Sequence, residues 1–197
     1  MILEFDLSQA LRTLKPQKQT RSLRRRVDSE LHWAADEPAL GGPILLDTCV
    51  YIDVIQGRSP ASADDLLNFR ICHHSCVSLA ELTHVFGRLD PAHAETASVL
   101  DRVGDAIGAI PSHRLHAPDA AVWGWAGMLA GELARLNGAP KGQGNERRWL
   151  NDALIATQAR GHGAAVLTGN IGDFDFLSQL IPALRVVNYR RSDLGKS

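Results

Sequence analysis

Short apolar runs bounded by breaker residues alternate along most of this chain with longer stretches whose apolar spacing is helical. Ile44-Leu45-Leu46 follows Gly41-Gly42-Pro43, and Ala164-Ala165-Val166-Leu167 follows Gly161-His162-Gly163, so both read as buried strands. Cys76-Val77, Gly108 to Ile110 and Leu184 to Val187 are the remaining predicted strands. Helical spacing covers Ser62 to Phe69, Leu79 to Arg88, His93 to Ile107, Pro118 to Leu136, Glu146 to Arg160 and a short segment around Phe174 to Leu180. Such alternation predicts an α/β fold, a three-layer α/β/α sandwich with a mostly parallel central sheet. Residues 1–43 are expected to form a basic N-terminal extension, 44–190 the α/β domain and 191–197 a C-terminal tail.

The extension carries Lys15, Lys18, Arg21 and the block Arg24-Arg25-Arg26. Charge runs are usually solvated surface, so an arm lying on its own domain is the plainer expectation, and a nucleic-acid or partner contact is the sharper one. At 197 residues and 45% hydrophobic content the chain has ample material for a core. No run of about 18 apolar residues occurs, and early acids in Met1 to Asp6 replace the basic start of an export signal, so neither membrane insertion nor export is expected. The cysteines, Cys49, Cys72 and Cys76, are odd in number and form no disulfide framework, which fits a reducing cytoplasm. With net charge -1 and pI near 6.7, any contact to RNA or DNA has to use a local patch.

Chemistry enters through four acids that stand where predicted core elements end or helices begin. Asp47 closes the first strand, and Thr48 adds a hydroxyl beside it. Glu81 is expected in the first turn of the helix after Cys76-Val77-Ser78, and Asp152 on the flank of a helix buried through Leu150, Leu154 and Ile155. Asp173 follows Thr168-Gly169-Asn170 at the end of the second well-marked strand. In an open α/β sheet, loops at the carboxyl ends of strands line the ligand crevice. Carboxylates drawn together there repel one another unless a cation is bound. Sparse Asp and Glu ligands suit Mg²⁺ better than Zn²⁺, and Mn²⁺ for the same reason. Such ions beside a phosphodiester activate water and neutralise the leaving oxygen, so metal-assisted phosphodiester hydrolysis is the reaction class expected. Lys141, Arg147 and Arg148 are candidate phosphate contacts.

Taken in order, Leu45-Leu46-Asp47-Thr48-Cys49-Val50-Tyr51-Ile52-Asp53, Ser78-Leu79-Ala80-Glu81-Leu82, Asn151-Asp152-Ala153-Leu154-Ile155-Ala156 and Val166-Leu167-Thr168-Gly169-Asn170-Ile171-Gly172-Asp173-Phe174 resemble the four motifs of PIN-domain ribonucleases. The likeness is closest to VapC-type toxins of toxin-antitoxin pairs and covers about Ile44 to Val187. It implies an endoribonuclease that cuts single-stranded or looped RNA with Mg²⁺ or Mn²⁺ and is blocked by a cognate antitoxin. Asp47, Glu81 and Asp152 carry over as metal-coordinating residues, with Asp173 or Asn170 completing the pocket and Thr48 and Thr168 as polar members. Many relatives have an acid where this chain has Asn170, and the first forty residues match nothing in the toxin pattern. The resemblance also implies a homodimer, for which Trp123-Gly124-Trp125, Met128, Leu129 and Leu133 on the long helix are suited, in core or dimer packing.

Rival readings rest on single motifs. Cys72-His73-His74-Ser75-Cys76 mimics a zinc-ligand cluster, but no second cluster with matching spacing exists and a closed structural site needs four ligands. His113 and His116 read as loop or surface residues, and Asp53 as a surface acid. A haloacid-dehalogenase-type phosphatase would want a second acid where Cys49 stands. A PIN fold used only for RNA binding or regulation, with weak catalysis, is the non-enzymatic alternative.

Overall fold

Strand alternation decides which side of the sheet each apolar residue serves. A computed structural model describes residues 5–137 and 145–192. In chain order, α1 (Leu7–Leu14) precedes β1 (Ile44–Leu46), α2 (Thr48–Ile55), α3 (Ala61–Phe69), β2 (Cys72–Ser75), α4 (Cys76–Arg88) and α5 (Thr96–Gly108). The chain continues through β3 (Leu115–His116), α6 (Ala120–Leu136), α7 (Asn145–Gly161), β4 (Ala165–Thr168), α8 (Ile171–Leu180) and β5 (Val186–Asn188). The five strands lie in the order β3-β2-β1-β4-β5, and every pairing is parallel.

Leu45, Val166 and Val186 point to one face, where they pack with Leu129 and Leu133 of α6, Leu154 and Ile155 of α7 and Phe174 and Leu177 of α8. Their neighbours Ile44, Leu46, Leu167 and Val187 point to the other, against Val50 and Tyr51 of α2, Leu66 of α3 and Val103 of α5. Residues buried on both faces of a parallel sheet form continuous apolar runs, which is why β1 and β4 were readable in sequence. α7 is buried along the whole stretch 152–159, so it is an interior helix with more than one packed face.

Other expectations shift. The strand predicted at Cys76-Val77 lies one step earlier, at Cys72–Ser75, and Ser75 caps the helix that starts at Cys76 by accepting a hydrogen bond from the Val77 amide at 3.0 Å. Glu81 consequently stands in the second turn of α4, not the first. Gly108 to Ile110 is the end of α5, and the paired strand is Leu115–His116. The last strand is Val186–Asn188, two residues beyond its predicted start. α8 begins at Ile171, so Asp173 sits inside its first turn. Asp53 is fully buried: Arg58 and Arg191 pair with it at 2.9 and 2.8 Å, and the Tyr189 hydroxyl donates to it at 2.8 Å. His116 is partly buried in β3, not loose on the surface.

Residues 5–43 lie along the domain. Asp6 caps α1 by accepting from the Gln9 amide at 2.9 Å, and Leu14 joins the α6–α7 core. Arg26 reaches the buried Asp175 at 2.6 Å. Trp33 makes an isolated parallel bridge to Asn188, whose amide donates to the His32 carbonyl at 2.9 Å, so the segment covers the outer edge of β5. Among the described residues no helix is long and apolar enough to cross a membrane.

Candidate functional site

The strand order sets the crevice. From β1 the chain first adds β2 on one side, and β4 later adds on the other, so the loops leaving β1 and β4 diverge and open a cleft between them. Asp47 leaves β1 there, its amide held by the Leu167 carbonyl at 3.2 Å. It is the N-cap residue of α2, yet its carboxylate makes no capping bond and turns into the crevice. The Thr168 hydroxyl, at the end of β4, donates to Asp47 Oδ2 at 2.7 Å, and the Cys49 thiol donates to the same oxygen at 2.8 Å.

Two helices deliver the other acids. Glu81 of α4 accepts from the Thr48 hydroxyl through Oε2 and from Asn151 Nδ2 through Oε1, the latter at 2.8 Å. Asp152 comes from the buried side of α7 and is 7% exposed. Asn170, the N-cap of α8, joins two acids: its amide nitrogen lies 3.2 Å from Asp152 Oδ2 and 3.1 Å from Asp173 Oδ2. Arg148, one turn before Asp152, pairs with Asp173 Oδ2 at 2.6 Å and donates to Asn170 Oδ1 at 3.3 Å. The structure thus brings Asp47, Glu81, Asp152 and Asp173 together with Thr48, Thr168 and Asn170, and sets Arg148 at the rim, largely exposed. Lys141 and the side chain of Arg147 lie outside the described residues.

Crowding of like charge shows in the acids' proton affinities. Burial, reinforced by Asp47 and Asp173, pushes the Asp152 carboxyl up to about 9, with Glu81 adding to the effect and Arg148 opposing it. Burial also raises Asp47, against the lowering effect of the Cys49 and Thr168 hydrogen bonds. Among the described residues, no three His, Cys, Asp or Glu side chains are gathered tightly enough, as they stand, to cage an ion. That is no obstacle to a sparsely ligated one: Mg²⁺ takes one or two carboxylates, keeps several waters and accepts a substrate phosphate. The donor set here is all oxygen and mutually repelling, with Asp47 and Asp152 buried and Glu81 and Asp173 partly exposed, and so its chemistry fits a hard divalent cation.

A cleft of about 620 Å³ opens beside Glu81, lined by Val77, Ala80, Trp123, Arg148, Asn151 and Leu154 among others. Half-exposed Trp123 offers it an aromatic face. Trp125 instead packs against the core under the Arg160 guanidinium, 5.2 Å from the ring centre.

Two residues here were given no role in the site by the sequence expectation. Cys49 bridges the two strand ends, since its sulfur also accepts from the Gly169 amide at 3.2 Å. Asn151 orients Glu81 and is signalled only by preceding Asp152. Gly169 itself suits a close approach: a Cβ there would stand 3.1 Å from the Tyr189 ring and 3.3 Å from Asp53 Oδ2, so these neighbours would have to give by a few tenths of an ångström.

No family model matches the chain, and no curated protein matches its sequence. Solved structures do match its fold. A chain of VapBC2 from Rickettsia felis, crystallised on a DNA fragment from its promoter, superposes with a TM-score of 0.51 at 20% identity, over 75% of this chain and 98% of that one. The fold is PIN-like. A second match is a chain of FitAcB from Neisseria gonorrhoeae, with a TM-score of 0.51 at 22% identity, covering 74% of this chain and 96% of the other. The shared fold therefore spans nearly the full length of both solved chains.

Proposed function

We propose that the protein is a Mg²⁺- or Mn²⁺-dependent endoribonuclease, the toxin member of a toxin-antitoxin pair. The observation that carries this is the convergence of Asp47, Glu81, Asp152 and Asp173 on one crevice at the carboxyl ends of β1 and β4, with Asn170 bridging two of them. The fold shared with chains of VapBC2 and FitAcB supports a partner protein, taken here to be a cognate antitoxin that occupies the same cleft.

Asp47, Glu81 and Asp152 would hold the cation, with Asp173 or Asn170 completing the set. When bound, the ion supplies Lewis acidity, lowering the pKa of a water and neutralising charge on the phosphodiester. The chain's own groups do the positioning. Thr168 and Cys49 fix the Asp47 carboxylate from one side. Thr48 and Asn151 hold Glu81 by both oxygens, so that it cannot swing away from the crevice. Arg148 stands where an RNA phosphate entering the cleft would exchange for Asp173 as its partner. The apolar wall with Trp123 gives an unpaired base a surface to stack on.

The test is cleavage of a long single-stranded RNA by purified, antitoxin-free protein in Mn²⁺, beside Asp47→Asn and Asp152→Asn. The parent should cut and both variants should lose at least about a hundredfold in rate, as expected when an electrostatic element of the transition state is removed. Equal cleavage by all three would reject the catalytic assignment, and binding without cleavage by the parent would leave an RNA-binding role.

A further inference from the structure

A second cluster of ligating side chains lies on the α6–α7 face of the sheet, away from the carboxylates. His73 from β2 and His116 from β3 meet with Nδ1 and Nε2 2.9 Å apart. His162, just past the last residue of α7, completes a triangle of rings with centroids 4.9 Å (His73–His116), 5.5 Å (His73–His162) and 4.1 Å (His116–His162) apart. Asp152 and His162 are separated by ten positions, which is about 15 Å along a helix. The rings belong to no part of the acidic crevice.

Strand geometry explains why one segment of sequence yields only one of these ligands. Successive side chains alternate across β2, so His74 points to the opposite face, where its Nδ1 meets the Tyr51 hydroxyl at 2.6 Å. Cys72 turns its thiol to the Leu67 carbonyl at 3.6 Å. His73 is left facing α7, and the β2–β3 pairing sets His116 beside it, because Ser75 is the partner of His116 in register. The scaffold is stiff: Gln158 of α7 donates to the His116 carbonyl at 3.0 Å and accepts from the Ser75 hydroxyl at 2.5 Å. A cavity of about 350 Å³ opens onto His116 and His162, with Asp119 at its edge.

We infer that His73, His116 and His162 form a binding site for a borderline divalent transition ion such as Zn²⁺, with water or Asp119 in the fourth position. Two imidazole nitrogens on one tetrahedral zinc, each about 2.0–2.1 Å from it, stand roughly 3.3 Å apart. The 2.9 Å His73–His116 contact is a few tenths of an ångström short of that, so an ion entering between them asks for a small spread of two strand residues. As they stand the three rings do not cage an ion. His162 is exposed, and binding asks its ring to reorient towards the same point.

Burial, with the neighbouring histidines, holds both His73 and His116 below the ordinary imidazole range, the direction that a ligating imidazole needs. One of the two must move the proton of the shared hydrogen bond to its other ring nitrogen on binding. No other reagent is required.

Chelator-stripped full-length protein titrated with CoCl₂ and then ZnCl₂ tests the site independently of RNA cleavage. One equivalent of Co²⁺ should give the visible absorption of a tetrahedral centre, and Zn²⁺ should displace it. His162→Gln changes an exposed residue and leaves the fold intact; it should weaken Zn²⁺ binding about tenfold or more. His116→Gln should abolish the cobalt spectrum, with far-UV circular dichroism confirming the fold. Asp152→Asn should leave the tetrahedral cobalt spectrum in place. Unchanged zinc affinity in His162→Gln, or loss of the cobalt spectrum in Asp152→Asn, would overturn the assignment.

Discussion

Asp152 is the residue where burial and like charge act together, and its titration gives the clearest single-site prediction. A carboxyl with an ordinary value of 3.8 and a folded value of about 9 binds its proton more tightly in the folded state. The unfolded chain has then lost that proton throughout the interval between the two values. Stability of the metal-free protein is therefore fullest below about pH 4 and falls as pH rises towards 9, as far as this group is concerned. Asp152→Asn removes the cost of holding, in the folded state, a proton that the unfolded chain has given up, and should raise metal-free stability at pH 8 by on the order of 1 to 3 kcal/mol. Denaturant melts of both proteins at pH 5 and pH 8, without metal, measure it; a variant no more stable at pH 8 than the parent would contradict the assignment. Asp47 was legible in sequence because an acid ending an apolar run has few structural reasons to be there, and Asp152 through the order of the motifs around it. Cys49 and Asn151 were not, since a thiol and an amide next to a motif acquire meaning only from what they touch.

Among the elements, the N-terminal segment and the edge of the sheet carry the next prediction. Asp175 is buried on α8 and its carboxylate is held by the Arg26 backbone amide at 2.9 Å, the Arg26 side chain at 2.6 Å and Gln179 at 3.0 Å. Removing the guanidinium strands a buried charge, which costs more than the net worth of the pair. Arg26→Ala should lower stability by about 2 kcal/mol or more and release protection of the 26–33 amides in hydrogen exchange; an unchanged melting point would show that the pair is immaterial. Periodicity found β1, β4 and most helices because those segments are apolar on the faces they bury. It missed β2 because Cys72-His73-His74-Ser75 fills a buried strand with polar side chains that find partners on both sides. It missed β3 because two residues are too short to show any period, and α2 because the helix starts directly after Asp47 at the strand end, with no loop between to separate the two patterns.

For the molecule as a whole, assembly of the acidic crevice should couple folding to metal. Mn²⁺ binds the gathered carboxylates and not the open chain, so at a hundredfold excess over its Kd it should add about 2.7 kcal/mol of stability, several degrees in Tm. Asp47→Asn combined with Asp152→Asn should erase the shift, and a Tm indifferent to Mn²⁺ in the parent would remove the basis for a metal-assisted reaction.

Local physics is written in the chain: which runs are apolar, where they break, and which acids stand in or beside them, and from these follow the α/β class, the strands β1, β4 and most of β5 and, with the order of the motifs, the four carboxylates. Adjacency was decided by folding alone. Only the order β3-β2-β1-β4-β5 puts Asp47 beside Thr168, 121 positions away, and only the β2–β3 register puts His73 against His116. Spacing along the chain encodes backbone period, whereas contacts between distant segments depend on which strands pair and in what register, and those are settled by burying both faces of the sheet at once.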